Sequence, residues 1–299
     1  MANPFNTYQR HDVSHVQGQQ RLTDYCADYI PSLGSRSSAK KAIAAGKLLL
    51  NGEPAHFNDL VRNGDLIEWQ TPPPPRRRKL PPAIDIPIVY EDDHLIVVNK
   101  PGGIAVNGNR DKTVENALRR LARPSPEEDA FSGPVAAHRL DVPTKGLLLL
   151  AKTKTSLIRL NKAFQEGEVG KAYVAVVHGK PPRRGRISSP VDGKSALTSF
   201  KRLRAVPSRV FGELSMLRLK PHTGRTHQLR IHLKNTGHRV VGDKQYSYGL
   251  PTILGKGLFL CSCLLSFAHP VDERPMSFEI DPPARFLRLL QREEDRFTD

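Results

Sequence analysis

The sequence predicts a two-domain α+β protein, a small helix-and-hairpin module followed by a larger body in which strands and helices do not alternate as regular βαβ units. Three observations predict it. The chain has 299 residues, enough for two domains at about 100 to 200 residues each. A single low-complexity break, Thr71–Pro82 (TPPPPRRRKLPP), interrupts it. Short apolar runs bounded by Gly, Pro and Asn lie on both sides of that break. Its prolines forbid helix and ladder and favour an extended spacer, which sets a first domain at 1–70, a Pro/Arg-rich linker at 71–83 and a second domain at 84–299.

In chain order, Ser37–Ala45 (SSAKKAIAA) reads as a small helix with serine at its N-cap and Gly46 just past its end. The run Lys47–Leu50, the dipeptide Asn51-Gly52 and, after Gly64-Asp65, the run Leu66–Trp69 read as strand, turn and strand. Beyond the break, strands are expected in the two apolar runs of Ile86–Val98 and at Gly146–Ala151, Tyr173–Val177, Leu214–Leu219 and Met276–Ile280. Helices are expected at Val114–Leu121, Ser156–Gln165 and Thr226–Asn235. Arg123–Pro134 (RPSPEEDAFSGP) has no periodicity and reads as a surface loop.

Charge narrows the partner. With 46 Lys+Arg against 30 Asp+Glu the net charge is +16, which points to a polyanion. The excess is concentrated: residues 139–256 hold 24 basic and 6 acidic side chains, and the segments flanking them are slightly acidic. Solubility alone would spread the charge more evenly, so a nucleic acid is the expected partner. Met1–Gln20 lacks the apolar core of a signal peptide, and Leu258–Ala268, the longest apolar stretch, is far short of the roughly 20 residues that span a bilayer. A soluble cytoplasmic protein, off the membrane, is expected. Cys26, Cys261 and Cys263 form no C-x-x-C pair and are expected reduced. Neither a G-x-x-x-x-G-K-[ST] loop nor G-x-G-x-x-G occurs, so no nucleotide cofactor is expected.

Where acids are this scarce, each invites a reason. Asp141 lies in His138-Arg139-Leu140-Asp141, a loop that leads through Pro143 and Gly146 into GLLLLA, at the mouth of a buried strand. A carboxylate among arginines stays ionised, suiting a nucleophile or base better than a general acid; it could equally tie Arg139 into a turn. In TGRTHQLRIH (Thr223–His232), Arg225 at the expected helix start and Arg230 fall on different faces and should have different partners. His227 and His232 are five apart rather than four and lack the glutamate of a helical zinc motif, so no metal is expected. Tyr173, leading a strand in Lys171-Ala172-Tyr173, would by itself be a core residue.

Together, HRLDVPTKGLLLLAKT from His138, KAYVAVVHG from Lys171 and KPHTGRTHQLRIHLKNTGHRVVGDKQY from Lys220 resemble, in the same order, three blocks of the RluA-type pseudouridine synthases. NKPGG at Asn99 resembles that family's opening block. The pattern Ser35–Gly52 with the later Leu66–Trp69 resembles the small RNA-binding domain shared with ribosomal protein S-four. What the resemblance implies is a mixed, largely antiparallel sheet and the isomerisation of uridine to pseudouridine in structured RNA, by a monomer with no cofactor and no metal. It implies large-subunit ribosomal RNA before transfer RNA as substrate. Asp141 would then be the catalytic aspartate, Arg230 its ion partner and Tyr173 the platform for the displaced uracil and an aid to the last proton removal. Arg139 would help displace the target base, Arg225 would hold backbone or substrate, and Leu260 would line the pocket. Lys40, Lys41 and Lys47 would contact phosphate. Lys145, where the family commonly has serine, and Cys261-Ser262, where it has His-Ala, depart from the pattern and bear on which RNA is accepted. A non-catalytic RNA-binding or ribosome-assembly protein would share the charge but has no evident need for Asp141, Tyr173 and Arg230 together. A glycosidase on free nucleosides would call for a second catalytic carboxylate.

Overall fold

The computed structural model describes residues 8–70, 84–109, 111–246 and 256–298, so the expected linker at 71–83 lies outside the described residues. Contacts divide the chain into two compact units, Met1–Leu80 and Pro81–Asp299. Among the described residues no helix is long and apolar enough to cross a membrane.

The first unit contains β1 (Tyr8–Asp12), β2 (Gln20–Arg21), α1 (Leu22–Tyr29), α2 (Arg36–Ala44), β3 (Leu48–Leu50), β4 (Glu53–Pro54), β5 (Leu60–Val61) and β6 (Leu66–Gln70). Its main sheet runs β1-β6-β3-β4, and β2 pairs β5. Leu22, Tyr25, Ile43, Leu48, Ile67 and Trp69 are buried in its core. The N-cap of α2 is Ser35, whose Oγ accepts from Ser38 N at 3.1 Å, so the helix begins one residue before the expected Ser37. Lys40, Lys41 and Lys47 are all exposed.

The second unit contains β7 (Ile88–Glu91), β8 (Leu95–Lys100), α3 (Val114–Leu121), β9 (Ala130–Ala136), β10 (Lys145–Thr153) and α4 (Lys154–Glu166). It continues with β11 (Gly170–His178), β12 (Arg184–Ile187), β13 (Thr198–Ser208), β14 (Gly212–Pro221), α5 (Gln228–Asn235), β15 (Leu260–Ala268), β16 (Pro275–Glu279) and α6 (Arg285–Thr298). One mixed sheet runs β12-β13-β14-β11-β15-β10-β8-β7, with β16 on β15 and β9 on β10; its pairs are antiparallel except β10–β15. The apolar run of β10 is buried on both faces, which is why it reads as continuous rather than alternating. Helix α4 is capped by Thr153, whose Oγ1 accepts from Ser156 N at 3.1 Å, and ends on Gly167 in the left-handed conformation. Residues 123–134 are not wholly loop: from Ala130 the chain pairs with β10, its apolar contacts supplied by the neighbouring strand rather than by local periodicity.

Strands β10 and β15 are partners only at Lys145–Cys261 and Gly146–Ser262, after which β9 and β16 take over as their neighbours. Gly146 is needed there: φ is +111°, and a Cβ would stand 2.1 Å from the Ser262 carbonyl oxygen. Tyr173 on β11 is opposite Ser262, so Tyr173, Ser262 and Gly146 form one row across the sheet. The segment holding Asp141 enters β10 directly before that row.

Candidate active site

A cleft of about 1310 Å³ opens at this row, and Asp141, Tyr173, Arg230, Arg139 and Arg225 are all among its lining residues. The loop into β10 is fixed from both ends. At its start, His138 Nε2 accepts from Leu149 N at 3.1 Å, so the neutral ring carries its proton on Nδ1. Burial, helped by Lys171, pushes that imidazole down to about 3. At its end, the wholly buried Lys100 of the NKPGG block donates to Pro101 O (2.9 Å), Val142 O (3.2 Å) and Thr144 O (2.9 Å). Burial draws the Lys100 ammonium down to about 8, with Asp141 pulling the other way. Thr144 N closes the turn on Asp141 O at 3.0 Å. The Asp141 backbone is thus set by an ammonium whose three donors are all engaged.

The helix that meets Asp141 starts later than expected. Thr226 is outside it, His227 is its N-cap in the left-handed region (φ 54°), and α5 begins at Gln228. The cause is Gln228 itself. Its Oε1 accepts from Arg225 N (3.1 Å) and Thr223 Oγ1 (2.7 Å), and its Nε2 donates to Leu197 O and Thr198 Oγ1, both at 3.0 Å, knotting the turn to β13. His232 is structural: Nε2–H donates to Ser189 O (2.8 Å), leaving Nδ1 to accept from Thr198 Oγ1 (2.9 Å). Among the described residues no group of three His, Cys, Asp or Glu could hold a metal ion.

Arg230 is 4% exposed and joins two carboxylates. Its Nη1 donates to Asp141 Oδ2 at 3.2 Å, while Nε and Nη2 form a bidentate pair with Asp243 at 2.7 and 2.8 Å. Burial opposes its charge, but Asp243 and then Asp141 hold its pKa above the ordinary arginine value. Tyr246 stacks on the guanidinium (4.9 Å to the ring centroid), and its hydroxyl is 2.9 Å from His227 Nδ1. His227 Nε2 in turn stands 3.7 Å from Asp141 Oδ1. Asp141, whose side chain is 23% exposed, therefore has Arg230 on one oxygen, His227 near the other, and access to the cleft. Burial raises the Tyr173 hydroxyl to about 12, and Asp141 adds to the rise.

Arg139 is exposed at the cleft mouth. Arg225, also exposed, donates from Nε to Ser195 O at 3.0 Å and shares no partner with Arg230. Leu260 is not brought to the cleft: it is 3% exposed at the start of β15, paired with Ala175 and packed in the main core. Lys145 and Cys261 face each other where β10 meets β15, and Ser262 is fully buried beside Tyr173. Asp243, Lys100, His227 and Tyr246 were not singled out as site residues from sequence. Asp243 could have been, since it is another of the six acids in the basic segment.

Comparison with known proteins agrees with this architecture. The model of the RNA pseudouridylate synthase family matches residues 94–235. The chain is 32% identical over 298 residues to an uncharacterized RNA pseudouridine synthase of Aquifex aeolicus, covering 91% of this chain and 93% of that protein. It is 33% identical over 252 residues to the ribosomal large subunit pseudouridine synthase D of Yersinia pestis, covering 78% and 75%. Among solved structures, human RNA pseudouridylate synthase domain containing 4 superposes with a TM-score of 0.55 at 25% identity, covering 69% of this chain and 92% of that one.

Proposed function

The chain belongs to the RNA pseudouridine synthases, and on that premise we propose that it isomerises uridine in large-subunit ribosomal RNA with Asp141 as the catalytic carboxylate. The observation that carries this reading is the partly open Asp141, held by the buried Arg230 in a cleft beside Tyr173. The reaction exchanges a glycosidic bond to nitrogen for one to carbon within one molecule, with no net oxidation, so it calls for no electron carrier. Asp141 acts on the ribose, and Arg230 keeps its carboxylate oriented through both stages of the reaction. The detached uracil has to turn without meeting water, and the buried Tyr173 ring offers it an apolar face. Its phenol, held protonated by burial, can take the last proton from carbon only by passing its own to a base, and the Asp141 carboxylate, free again once the new bond has formed and near enough to act on the phenol, is the acceptor.

A base within a helix cannot reach Asp141, and Arg139, exposed and lining the cleft, would fill the space a displaced base leaves. Arg225, exposed and lining the same cleft, would meet backbone phosphate. The first unit, with exposed Lys40, Lys41 and Lys47, is read as an S-four-like module that holds RNA by its phosphates. Large-subunit ribosomal RNA is preferred because the Yersinia relative is named for that substrate.

The test is Asp141→Asn, assayed by tritium release from 5-tritiated uridine in ribosomal RNA and by mapping pseudouridines in cells with and without the protein. Turnover should vanish while RNA affinity stays within a few fold, since the carboxylate serves the reaction and not the phosphates. An Asn variant turning over near the wild-type rate would remove Asp141 from the mechanism.

A further inference from the structure

The sheet face opposite Tyr173 carries a second basic surface. Arg184 on β12, Lys201 on β13 and Arg218 on β14 are register partners in one row, and Arg186, Ser199 and Lys220 form the next. Gly185, Phe200, Leu219 and Tyr173 form the intervening row, so the side chains of Phe200, Leu219 and Tyr173 project from the other face, the face of the cleft. All five cations are exposed. Arg218 meets Glu279 at 3.0 Å, and the other four have no ion pair or side-chain hydrogen bond among the described residues.

Like charges directly opposite one another on neighbouring strands destabilise a sheet, so three cations abreast call for a reason. Protection of a sheet edge accounts for Arg184 and Arg186, which sit on the terminal strand β12. It does not account for Lys201, Arg218 or Lys220, which sit on interior strands. The second row also leads somewhere: Ser199 Oγ bonds His222 Nε2 at 2.8 Å, and His222 and Lys220 are lining residues of the cleft. A phosphate chain leaving the cleft past Lys220 would pass directly onto this surface.

We propose that Arg184, Arg186, Lys201, Arg218 and Lys220 form a second docking surface for the RNA backbone, taking phosphates of the strand that runs out of the cleft over the ends of β13 and β14. The inference rests on the RNA-modifying reading above and extends it to the part of the substrate beyond the target nucleotide. Strands about 4.8 Å apart and residues about 6.7 Å apart along one face place the five cations within reach of two or three consecutive phosphates.

The experiment uses the full chain with the paired substitutions Arg184→Glu with Lys201→Glu, and the milder Arg184→Gln with Lys201→Gln. Both positions lie outside the cleft. Affinity for deproteinised large-subunit ribosomal RNA is measured across a salt series, and turnover is measured on a short stem-loop bearing a uridine that the wild-type protein modifies. Both variants should bind the long RNA more weakly, the reversal more so, with log affinity against log salt shallower by about 1.5 for two lost phosphate contacts. Saturated turnover of the stem-loop should persist, which also shows that the variants are folded. Unchanged affinity and slope on the long RNA in both variants would overturn the proposal and leave the surface to an acidic protein. A wild-type protein that forms no pseudouridine in any RNA would instead refute the reaction assigned above, while the salt series would still decide the docking surface.

Discussion

Arg230 contacts two carboxylates of the same kind in unlike surroundings, and the difference predicts which partner governs stability and which governs activity. Asp243 is 1% exposed and, among the described residues and beyond Arg230, accepts only from the backbone N–H groups of Gln245 (3.0 Å) and Tyr246 (3.2 Å). Replacing Arg230 with Met would leave that buried carboxylate without its cation, a change that costs about 3–5 kcal/mol. At about 2–4 °C per kcal/mol for a domain of this size, the melting temperature should fall by about 6–20 °C. Asp141→Asn should behave differently: its side chain is 23% exposed, its single bond to Arg230 is the longer one at 3.2 Å, and the amide oxygen can still accept it. That variant should lie within about 1 kcal/mol of the wild type in stability and yet be inactive. Coupling Arg230→Met with Asp243→Leu removes both buried charges and should recover most of the lost stability with none of the activity. Thermal unfolding of the full chain, paired with tritium release, reads both quantities. An Arg230→Met protein that melts within about 2 °C of the wild type, or a double variant no more stable than the single one, would refute the assignment of Asp243 as the charge that Arg230 satisfies.

Lys100 supplies a pH dependence of two signs. Burial lowers its pKa from 10.5 to about 8, so between those values the folded chain holds fewer protons than the unfolded one, and its contribution to stability, least below pH 8, rises across that window. Activity should run the other way, falling with an apparent pKa of about 8, because a neutral amine has two N–H groups for the three carbonyls that fix the Asp141 turn; a pH profile in which the same alkaline limb survives Lys100→Met would exclude this cause. Gly146→Ala should be strongly destabilising, by about 3 kcal/mol or more, since φ is +111° and the new methyl would meet the Ser262 backbone at 2.1 Å; denaturant unfolding with a midpoint close to the wild type would contradict that geometry. Removal of residues 1–83 leaves a unit with its own core, so the truncated chain should fold and modify a short saturating stem-loop, while its salt slope on long RNA should become shallower. A folded but inactive truncation would mean that the first unit helps to build the reaction centre.

Local chemistry was legible in the sequence wherever a residue stood out against its background. The strands at 146–151 and 173–177 were readable because burial on both faces leaves unbroken apolar runs, and Asp141 stood out because acids are rare in the segment around it. Strand β13 was missed for the opposite reason: TSFKRLRAVPS includes charges on a face that is open there, so the run reads as basic rather than as a strand. Leu260 is expected in the pocket only through the family resemblance, whereas its side chain packs in the main core and does not line the cleft. Asp243 had the same rarity as Asp141 but lies in a turn with no periodic signal, thirteen residues beyond the arginine it holds, so only the tertiary fold joins them. Scarcity in a basic segment therefore marks both carboxylates as charges that the chain retains for a purpose. Burial separates those purposes: a carboxylate closed on all sides can only hold an arginine, and one open to a cleft on the same arginine has an oxygen left for substrate.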